Sequence, residues 1–310
     1  MKALRDVFGD TLSELARENP SVVVLDGDLA NSTKADKFAH AHPDRFLEMG
    51  IAEQNLVGTA VGMATLGFIP WLSSFTVFFT HRAVDPVRML VAQTHANVKI
   101  GAAYSGLLTG YTGKTHQDVE DLAIMRAMPG MTVLAPADEF ECAAMIRWAT
   151  EYVGPVYLRL TRDPSPAVFG PDYRFQPGAV HQLREGSDLL IISTGTQSPR
   201  CVEAAQELEK EGISAAVLHL PSIKPLNQDD LLTLCERFSL IFTVEEHTRL
   251  GGLGGLVSEL LSEHSPRRVI RLGLQDEWGE SAPNDFLLDK YRLSPRRVAE
   301  QIVSKRKQVR

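Results

Sequence analysis

Apolar residues recur at two different spacings along the chain, and the spacing predicts which segments are helices and which are strands. Residues 1–19 carry apolar side chains three or four positions apart, which predicts an amphipathic helix. Residues 21–25 form a short run rich in valine, typical of a strand that is buried on both faces of a parallel sheet. The same alternation continues to about residue 160. It predicts an α/β domain with helices on both faces of a parallel sheet.

The segment 166–186 interrupts this alternation. It is rich in proline and glycine and has no periodic pattern, so we predict a linker between a first domain at 1–165 and a second at 187–310. Strand-like runs and helical segments then alternate again to the end of the chain. The prediction is two doubly wound α/β domains. In the first of them, the polar segment 29–45 is expected to be a loop with at most one helical turn.

Composition narrows the class of protein. The formal net charge of -7 argues against a surface for nucleic acid or for anionic lipid. No apolar run approaches the ~18 residues of a membrane span. Asp6, Asp10 and Glu14 interrupt what would be the apolar part of a signal peptide. The three cysteines are far apart and form no Cys-x-x-Cys pair, which favours core thiols in a reducing compartment, the cytoplasm.

A carboxylate and a group of phenylalanines are candidates for ligand binding. Glu53 begins a helix rich in small residues, where an acid either favours the helix dipole or, if buried, shares a proton with a ligand nitrogen. The small residues themselves favour tight packing within the domain or a subunit contact. Phe75 and Phe78 follow the next predicted strand and are either core residues or a stacking wall for a flat ring. His81 adds a polar group that a pure core would not contain.

Three further side chains lie where strands of the first domain end. Asp28 follows the first strand, at the edge where open α/β sheets place ligands. His116 lies in a glycine-bearing loop, where a catalytic and a structural role are equally compatible with the pattern. Arg162 follows the last strand and is either a surface residue or a phosphate ligand.

Seven motifs occur in order over almost the whole length: GDLA at 27–30, GIAEQN at 50–55, FTVF at 75–78, GKTHQ at 113–117, PADE at 136–139, TVEEH at 243–247 and DEWGES at 276–281. Together they resemble the C-terminal half of the transketolase family, a pyrimidine-binding domain followed by a C-terminal domain. The resemblance implies that Glu53 hydrogen-bonds N1′ of the aminopyrimidine of thiamine diphosphate. It implies that Phe75 and Phe78 stack on that ring, with His81 beside it.

The resemblance also assigns the substrate side of the site. It implies that His116 faces the sugar hydroxyls or assists proton transfer, that Arg162 holds the phosphate of a sugar phosphate, and that Asp28 lies near the substrate channel. Two positions depart from the usual pattern of the family. Thr112 stands where an aspartate often contacts a sugar hydroxyl, and Tyr104, a further substrate-binding candidate, stands where a histidine is common. Both leave the identity of the sugar open.

The family's diphosphate motif is missing, because no Gly-Asp-Gly occurs anywhere in the chain. The resemblance therefore implies that this chain holds no metal ligand, and that an N-terminal partner subunit supplies the diphosphate site with Mg²⁺ or Ca²⁺. The natural assembly is two copies of each chain, a heterotetramer.

The resulting hypothesis is the C-terminal subunit of a two-chain transketolase, a transferase of carbohydrate metabolism. It would move a two-carbon ketol unit between sugar phosphates. The alternatives are half of a related enzyme, similar to deoxyxylulose-phosphate synthase or to the β chain of a 2-oxoacid dehydrogenase, and a non-catalytic scaffold subunit.

Overall fold

The apolar runs of the sequence become the inner strands of two sheets in a computed structural model that describes residues 1–308. The strands are β1 (Val22–Asp26), β2 (Phe46–Glu48), β3 (Ile69–Phe75), β4 (Lys99–Ala103), β5 (Thr132–Leu134), β6 (Val156–Leu160), β7 (His181–Arg184), β8 (Leu189–Ser193), β9 (Ala215–His219), β10 (Ser222–Lys224), β11 (Leu240–Thr248) and β12 (Arg268–Leu274). Helices pack on these sheets, as the alternation of apolar runs and helical periods predicts.

The helices vary from one turn to four. They are α1 (Leu4–Glu18), α2 (Ala30–Thr33), α3 (Asp36–Ala41), α4 (Glu53–Thr65), α5 (Val84–Pro86), α6 (Asp121–Ala127), α7 (Glu139–Glu151), α8 (Gln197–Lys210), α9 (Gln228–Cys235), α10 (Leu253–His264), α11 (Asn284–Lys290) and α12 (Pro295–Lys307). Short 3₁₀ turns occupy Pro43–Arg45 and Gly110–Thr112, and π-helical turns occupy Phe78–Arg82 and Val87–Ala92. Within residues 1–308, no helix is both long and apolar enough to cross a membrane.

The two sheets confirm the predicted α/β class and add an antiparallel edge strand to each. The first has the order β10-β5-β6-β4-β3-β1-β2, and the second has the order β12-β11-β8-β9-β7. All neighbours are parallel except β10 beside β5 and β7 beside β9. Because β10 follows β9 in the chain, the second half of the protein completes the first sheet. The two domains are therefore joined by a shared sheet as well as by a linker.

The core of the first domain follows the periodicity of its sequence. Leu4, Phe8 and Leu12 of α1 are fully buried, and the ring of Phe8 meets Trp71 of β3 edge-on at 5.8 Å. This confirms the amphipathic helix predicted for residues 1–19. The helix α7 begins after Asp138, because the carboxylate of Asp138 accepts hydrogen bonds from the N–H groups of Phe140 and Glu141 in its first turn.

Two segments differ from their prediction. The segment 29–45 is mostly helical and contains α2 and α3, so the prediction of a loop there was wrong. The strand β7 lies within the segment 166–186, which we predicted as a linker, and pairs with β9. The elements α2, α3 and β7 are short and only partly buried. Their residues therefore need no continuous apolar run, which is the pattern that marks an inner strand or a long helix.

Candidate active site

The carboxyl ends of four parallel strands meet at one edge of the first sheet. The strands β6, β4, β3 and β1 are neighbours in that order, so the residues at their carboxyl ends lie side by side. These residues are Gly27 after β1, Ser74 and Phe75 at the end of β3, Tyr104 after β4, and Arg162 beyond β6. The helix α4 begins beside this edge with Glu53, whose carboxyl oxygen lies near Gly27 and Ser74. The fold thus places five sequence-distant segments at one edge of the sheet, and the space that they border is called the cleft below.

Glu53 is fully buried at this edge. Its Oε1 accepts a hydrogen bond from Ser74 Oγ at 3.3 Å, and its Oε2 accepts one from Arg82 Nη1 at 2.8 Å. A Cβ at Gly27 would lie 3.6 Å from Oε1, so the backbone after β1 is in ordinary contact with the carboxylate. Arg82 itself is 44% exposed. The carboxylate is therefore shielded from water by a partner that reaches the surface.

Four aromatic rings line the cleft. Phe75 stacks on Tyr104 with ring centroids 4.2 Å apart and on Phe78 at 5.9 Å. The ring of His116 meets Phe75 edge-on at 5.6 Å and Phe78 at 5.8 Å. The structure thus brings His116 onto the aromatic cluster although it is about 40 residues away in the sequence. A wall of this kind suits a flat ring, since offset stacking adds to the burial of apolar area.

The guanidinium of Arg82 already occupies the gap between the carboxylate and this wall. Its central carbon lies 4.3 Å from the ring centroid of Phe78, while its Nη1 donates to Glu53. A guanidinium is flat and carries N–H donors, so it shows what kind of group fits there. Glu53 and Phe78 together accept a planar group that stacks on one side and donates a hydrogen bond at its edge.

A second corner of the cleft carries two arginines around Tyr104. Arg5 of α1 donates to the hydroxyl of Tyr104 at 2.8 Å and to the backbone oxygen of Ser32 at 2.9 Å. The guanidinium carbons of Arg5 and Arg162 lie 5.4 and 5.6 Å from the centre of the Tyr104 ring. The Nε of each arginine is buried without a hydrogen-bond partner within residues 1–308. Two converging cations with unused donors suit a ligand that carries a negative group.

Two predicted site residues have other partners. His81 is 44% exposed and its Nε2 lies 3.2 Å from a carboxyl oxygen of Glu120. Asp28 is exposed, has a positive φ of 66°, and its N–H donates to the carboxylate of Glu48. The structure brings together Glu53, Phe75, Phe78, Tyr104, His116 and Arg162, and it leaves His81 and Asp28 at the margin of the cleft. Thr112 is exposed on the loop that precedes His116.

Two buried acids flank the cleft, and the sequence analysis named neither. Burial raises the pKa of Asp26 to about 6, although Thr33 and the N–H of Leu29 donate to it. Burial, with the neighbouring Asp121, raises the pKa of Asp118 to about 7. Both acids therefore take up a proton near neutral pH, which an exposed aspartate does not.

Comparison with known families agrees with this geometry. The model of the transketolase pyrimidine-binding domain matches residues 1–166, and that of the transketolase C-terminal domain matches residues 178–298. The chain belongs to the transketolase family. The resemblance found in the sequence is confirmed by both domains, and so is the order in which they follow one another.

Two curated relatives and one solved structure of similar length are named as a section, a subunit or a split-gene form of transketolase. The chain is 38% identical over 309 residues to a putative transketolase C-terminal section from Methanocaldococcus jannaschii, covering 99% of this chain and 97% of the other. It is 35% identical to a 6-deoxy-6-sulfo-D-fructose transketolase subunit from Clostridium sp., covering 99% and 96%. A solved split-gene transketolase, described as an inactive β4 tetramer, matches 98% of both chains with a TM-score of 0.91 and 44% identity.

Thiamine diphosphate is the cofactor of the transketolase family, and the residues present fit its aminopyrimidine. That ring is flat and carries hydrogen-bonding nitrogens at its edge, like the guanidinium that lies between Glu53 and Phe78. Glu53 supplies a buried carboxylate, and Phe75 and Phe78 supply the stacking face. A ring that took the place of this guanidinium would require Arg82 to move, and the 44% exposure of Arg82 leaves room for that movement.

The sequence analysis missed two residues that the transketolase fold brings into the cleft. They are Arg5, which the sequence analysis includes only within the amphipathic helix of residues 1–19, and Arg82, which directly follows His81. A possible signal for Arg5 is that it lies on α1 next to the buried Leu4, on the side that meets the sheet edge. Its contact with Tyr104 joins residues 99 positions apart, which a local pattern does not encode.

Proposed function

We propose that this chain is the C-terminal subunit of a two-chain transketolase that transfers a two-carbon ketol unit between sugar phosphates. The observation that carries the proposal is the buried carboxylate of Glu53 beside the stacked rings of Phe75 and Phe78, in a chain that has no Gly-Asp-Gly motif. The chain supplies a buried carboxylate and two stacking rings for the pyrimidine half of the cofactor. The diphosphate half has to be bound by another polypeptide.

The roles within the pyrimidine pocket follow from its chemistry. Glu53 holds a proton at N1′ of the aminopyrimidine, which sets the tautomer of the ring. Phe75 and Phe78 fix the plane of the ring by stacking. His81 lies beside this pocket on the same helical turn as Arg82. Thiamine diphosphate, when bound, supplies the electron sink for cleaving the carbon–carbon bond next to the substrate carbonyl.

The substrate occupies the corner around Tyr104. Arg162 and Arg5 bind the anionic end of the sugar, and their unpaired Nε atoms support this assignment. Tyr104 and His116 face the hydroxyl groups or assist proton transfer, and Asp28 borders the channel. We propose that this anionic end is a phosphate. One relative is named for a sulfonated sugar, so the assay should also include a sugar sulfonate.

The partner is an N-terminal subunit that binds the diphosphate with Mg²⁺ or Ca²⁺, in an assembly of two copies of each chain in the cytoplasm. One face of α4 supports such docking. Gly58 and Gly62 have open space where side chains would stand, and Ile51 and Leu66 are 71% and 77% exposed at the two ends of that helix. Three buried free cysteines, Cys142, Cys201 and Cys235, support a reducing compartment.

The test is ketol transfer by the purified chain, alone and with an N-terminal subunit whose sequence carries Gly-Asp-Gly. We expect transfer between sugar phosphates only from the mixture supplied with thiamine diphosphate and Mg²⁺. Robust transfer by this chain alone would refute the two-chain proposal. Turnover of pyruvate in place of a ketose would favour the synthase or dehydrogenase alternative, and an assembled complex that transfers nothing would favour a scaffold.

A further inference from the structure

The loop between Tyr104 and His116 has little regular structure of its own. Gly106, Gly110 and Gly113 all have positive φ values, and apart from one 3₁₀ turn the loop is irregular. Its backbone N–H and C=O groups therefore need partners outside the loop. The loop separates two residues of the cleft, so its conformation sets the distance between them.

The second domain supplies one set of these partners through a carboxylate. Oε1 of Glu246, on β11, accepts hydrogen bonds from the N–H groups of Leu107 at 2.8 Å and Leu108 at 3.1 Å. Glu246 is 2% exposed. The approach is so close that a Cβ at Gly106 would lie 2.4 Å from the same oxygen. The first half of the loop is thus fixed by a buried charge of the other domain.

Asn284, the first residue of α11, fixes the second half of the loop. Its Oδ1 accepts a hydrogen bond from the N–H of Gly110 at 2.8 Å, and its Nδ2 donates to the backbone oxygen of Leu108 at 3.3 Å. The same Nδ2 donates to the carboxylate of Asp163, the neighbour of Arg162 in the chain. One amide therefore bonds both the loop and the segment that carries the arginine.

The loop and the arginine are in direct contact at this point. A Cβ at Gly110 would lie 2.6 Å from Nη1 of Arg162, so the backbone of the loop forms one wall of the arginine's position. Arg162 also lies against the ring of Tyr104. Ser281 adds a further bond from the second domain, donating to the backbone oxygen of Tyr111 at 2.7 Å.

We propose that Asn284 is a positioning residue through which the second domain sets substrate recognition, by holding the loop 105–113 against Arg162. The inference rests on the proposed function, because it concerns the same cleft. It gives the C-terminal domain a defined role in that cleft: the domain fixes the side that receives the anionic end of the sugar.

The experiment replaces Asn284 in the assembled two-chain enzyme. We expect Asn284→Ala to raise KM for a sugar phosphate by about tenfold, since small misplacements of binding groups are costly. The kcat and the affinity for thiamine diphosphate should stay within about twofold, because the amide makes no bond to the pyrimidine pocket. KM for an unphosphorylated ketose should change less than KM for its phosphate. Asp285→Ala, an exposed change on the same helix, is the matched control and should leave all four values unaltered.

Amide hydrogen exchange of this chain alone gives a readout that does not depend on activity. In Asn284→Ala, the amide of Gly110 loses its acceptor and should exchange at least about tenfold faster, while those of α4 should not change. Ser281→Ala should produce a smaller effect in the same direction, and it serves if Asn284→Ala does not fold. An active wild-type enzyme whose KM is unaffected by both substitutions, or unaltered exchange in the loop, would overturn the inference. A wild-type assembly without ketol transfer would instead overturn the proposed function and leave the exchange result to be judged by itself.

Discussion

Two buried glutamates, one in each domain, use the same side chain in different ways. Glu53 begins α4, and its carboxylate is bonded to a hydroxyl and to the guanidinium of Arg82, which is 44% exposed. Glu245 lies on β11, and its two oxygens accept the N–H groups of Leu253 at 2.7 Å and Gly254 at 2.8 Å, the first turn of α10. The partner of Glu53 is a half-exposed side chain that can move into solvent, whereas the partners of Glu245 are backbone groups that move only with the first turn of α10.

This difference teaches that burial alone does not identify a ligand-binding acid. Both side chains are fully buried. Burial raises the pKa of Glu245 to about 7, against the effect of its two backbone hydrogen bonds and of Arg159 and Arg271. Its perturbed pKa still does not make it a site residue, because no space beside it is free for a ligand: a Cβ at Gly252 would lie 2.4 Å from its Oε2. The exposure of the partner separates the two cases.

The largest expected effect comes from removing the acid of Glu53. In the assembled enzyme, Glu53→Gln should lower kcat for ketol transfer by roughly 10²–10⁴-fold, the range typical of a lost proton-transfer group. The amide keeps the size of the side chain, so the melting temperature of the chain should change little. Steady-state kinetics with thermal unfolding of the same samples measures both quantities.

Glu18→Gln, an exposed change at the end of α1, is the control and should leave kcat unaltered. Equal losses in kcat for Glu53→Gln and for Glu245→Gln would contradict the comparison, since only the first acid should act on the cofactor. Unaltered turnover in Glu53→Gln would support the scaffold alternative.

The sequence predicts part of the fold and names part of the candidate site. Glu53, Phe75 and Phe78 belong to motifs whose order along the chain is specific, and the inner strands follow from continuous apolar runs. By contrast, β10 has three residues and pairs with Thr132–Leu134, some 90 positions away, so no local pattern predicts it. The same is true of the bond between Arg82 and Glu53, because it depends on how α4 and the helical segment after β3 meet. Local patterns predict elements, whereas distant pairings require the folded chain.

Removal of either arginine at the Tyr104 corner is the next largest effect. Arg162→Ala and Arg5→Ala should each raise KM for a sugar phosphate by roughly 10- to 100-fold, the cost of losing charged hydrogen bonds to an anion. The affinity for thiamine diphosphate should not change. Titration of substrate and cofactor against the assembled enzyme measures the two effects separately.

Arg17→Ala offers a matched control for Arg5, because it removes an exposed arginine from the same helix. Its KM should equal that of the wild type. If Arg5→Ala behaved like Arg17→Ala, the corner would bind its ligand through Arg162 alone, and α1 would have only a structural role.

The pH dependence of stability tests the buried state of Glu245, the glutamate that is bonded to the start of α10. Because the pKa of Glu245 is raised from 4.5 to about 7 in the folded chain, the native state binds this proton more tightly than the unfolded state. Its contribution to stability is therefore complete below pH 4.5 and is lost as the pH rises through 7. Glu245→Gln lacks this loss, so its unfolding free energy relative to wild type should rise by about 1–3 kcal/mol between pH 5 and pH 8.

Urea unfolding at several pH values tests this, with the exposed Glu211→Gln as control. If the difference in unfolding free energy between Glu245→Gln and wild type stayed constant with pH, the pKa of Glu245 would be the same in the folded and unfolded states.

The smallest expected effect comes from replacing Arg82, the partner that shields Glu53. In Arg82→Gln the group that competes with the cofactor for Glu53 is gone, so the affinity of the assembled enzyme for thiamine diphosphate should rise by about two- to fivefold. That range matches the modest strength of an ion pair whose cation is 44% exposed. Arg88→Gln, an exposed change further along the same helical segment, should not alter the affinity. Equilibrium titration of the cofactor measures each variant. A tenfold fall in affinity for Arg82→Gln would mean that the guanidinium contacts the bound cofactor instead of giving way to it, and the distinction between a displaceable and a permanent partner would then fail for Glu53.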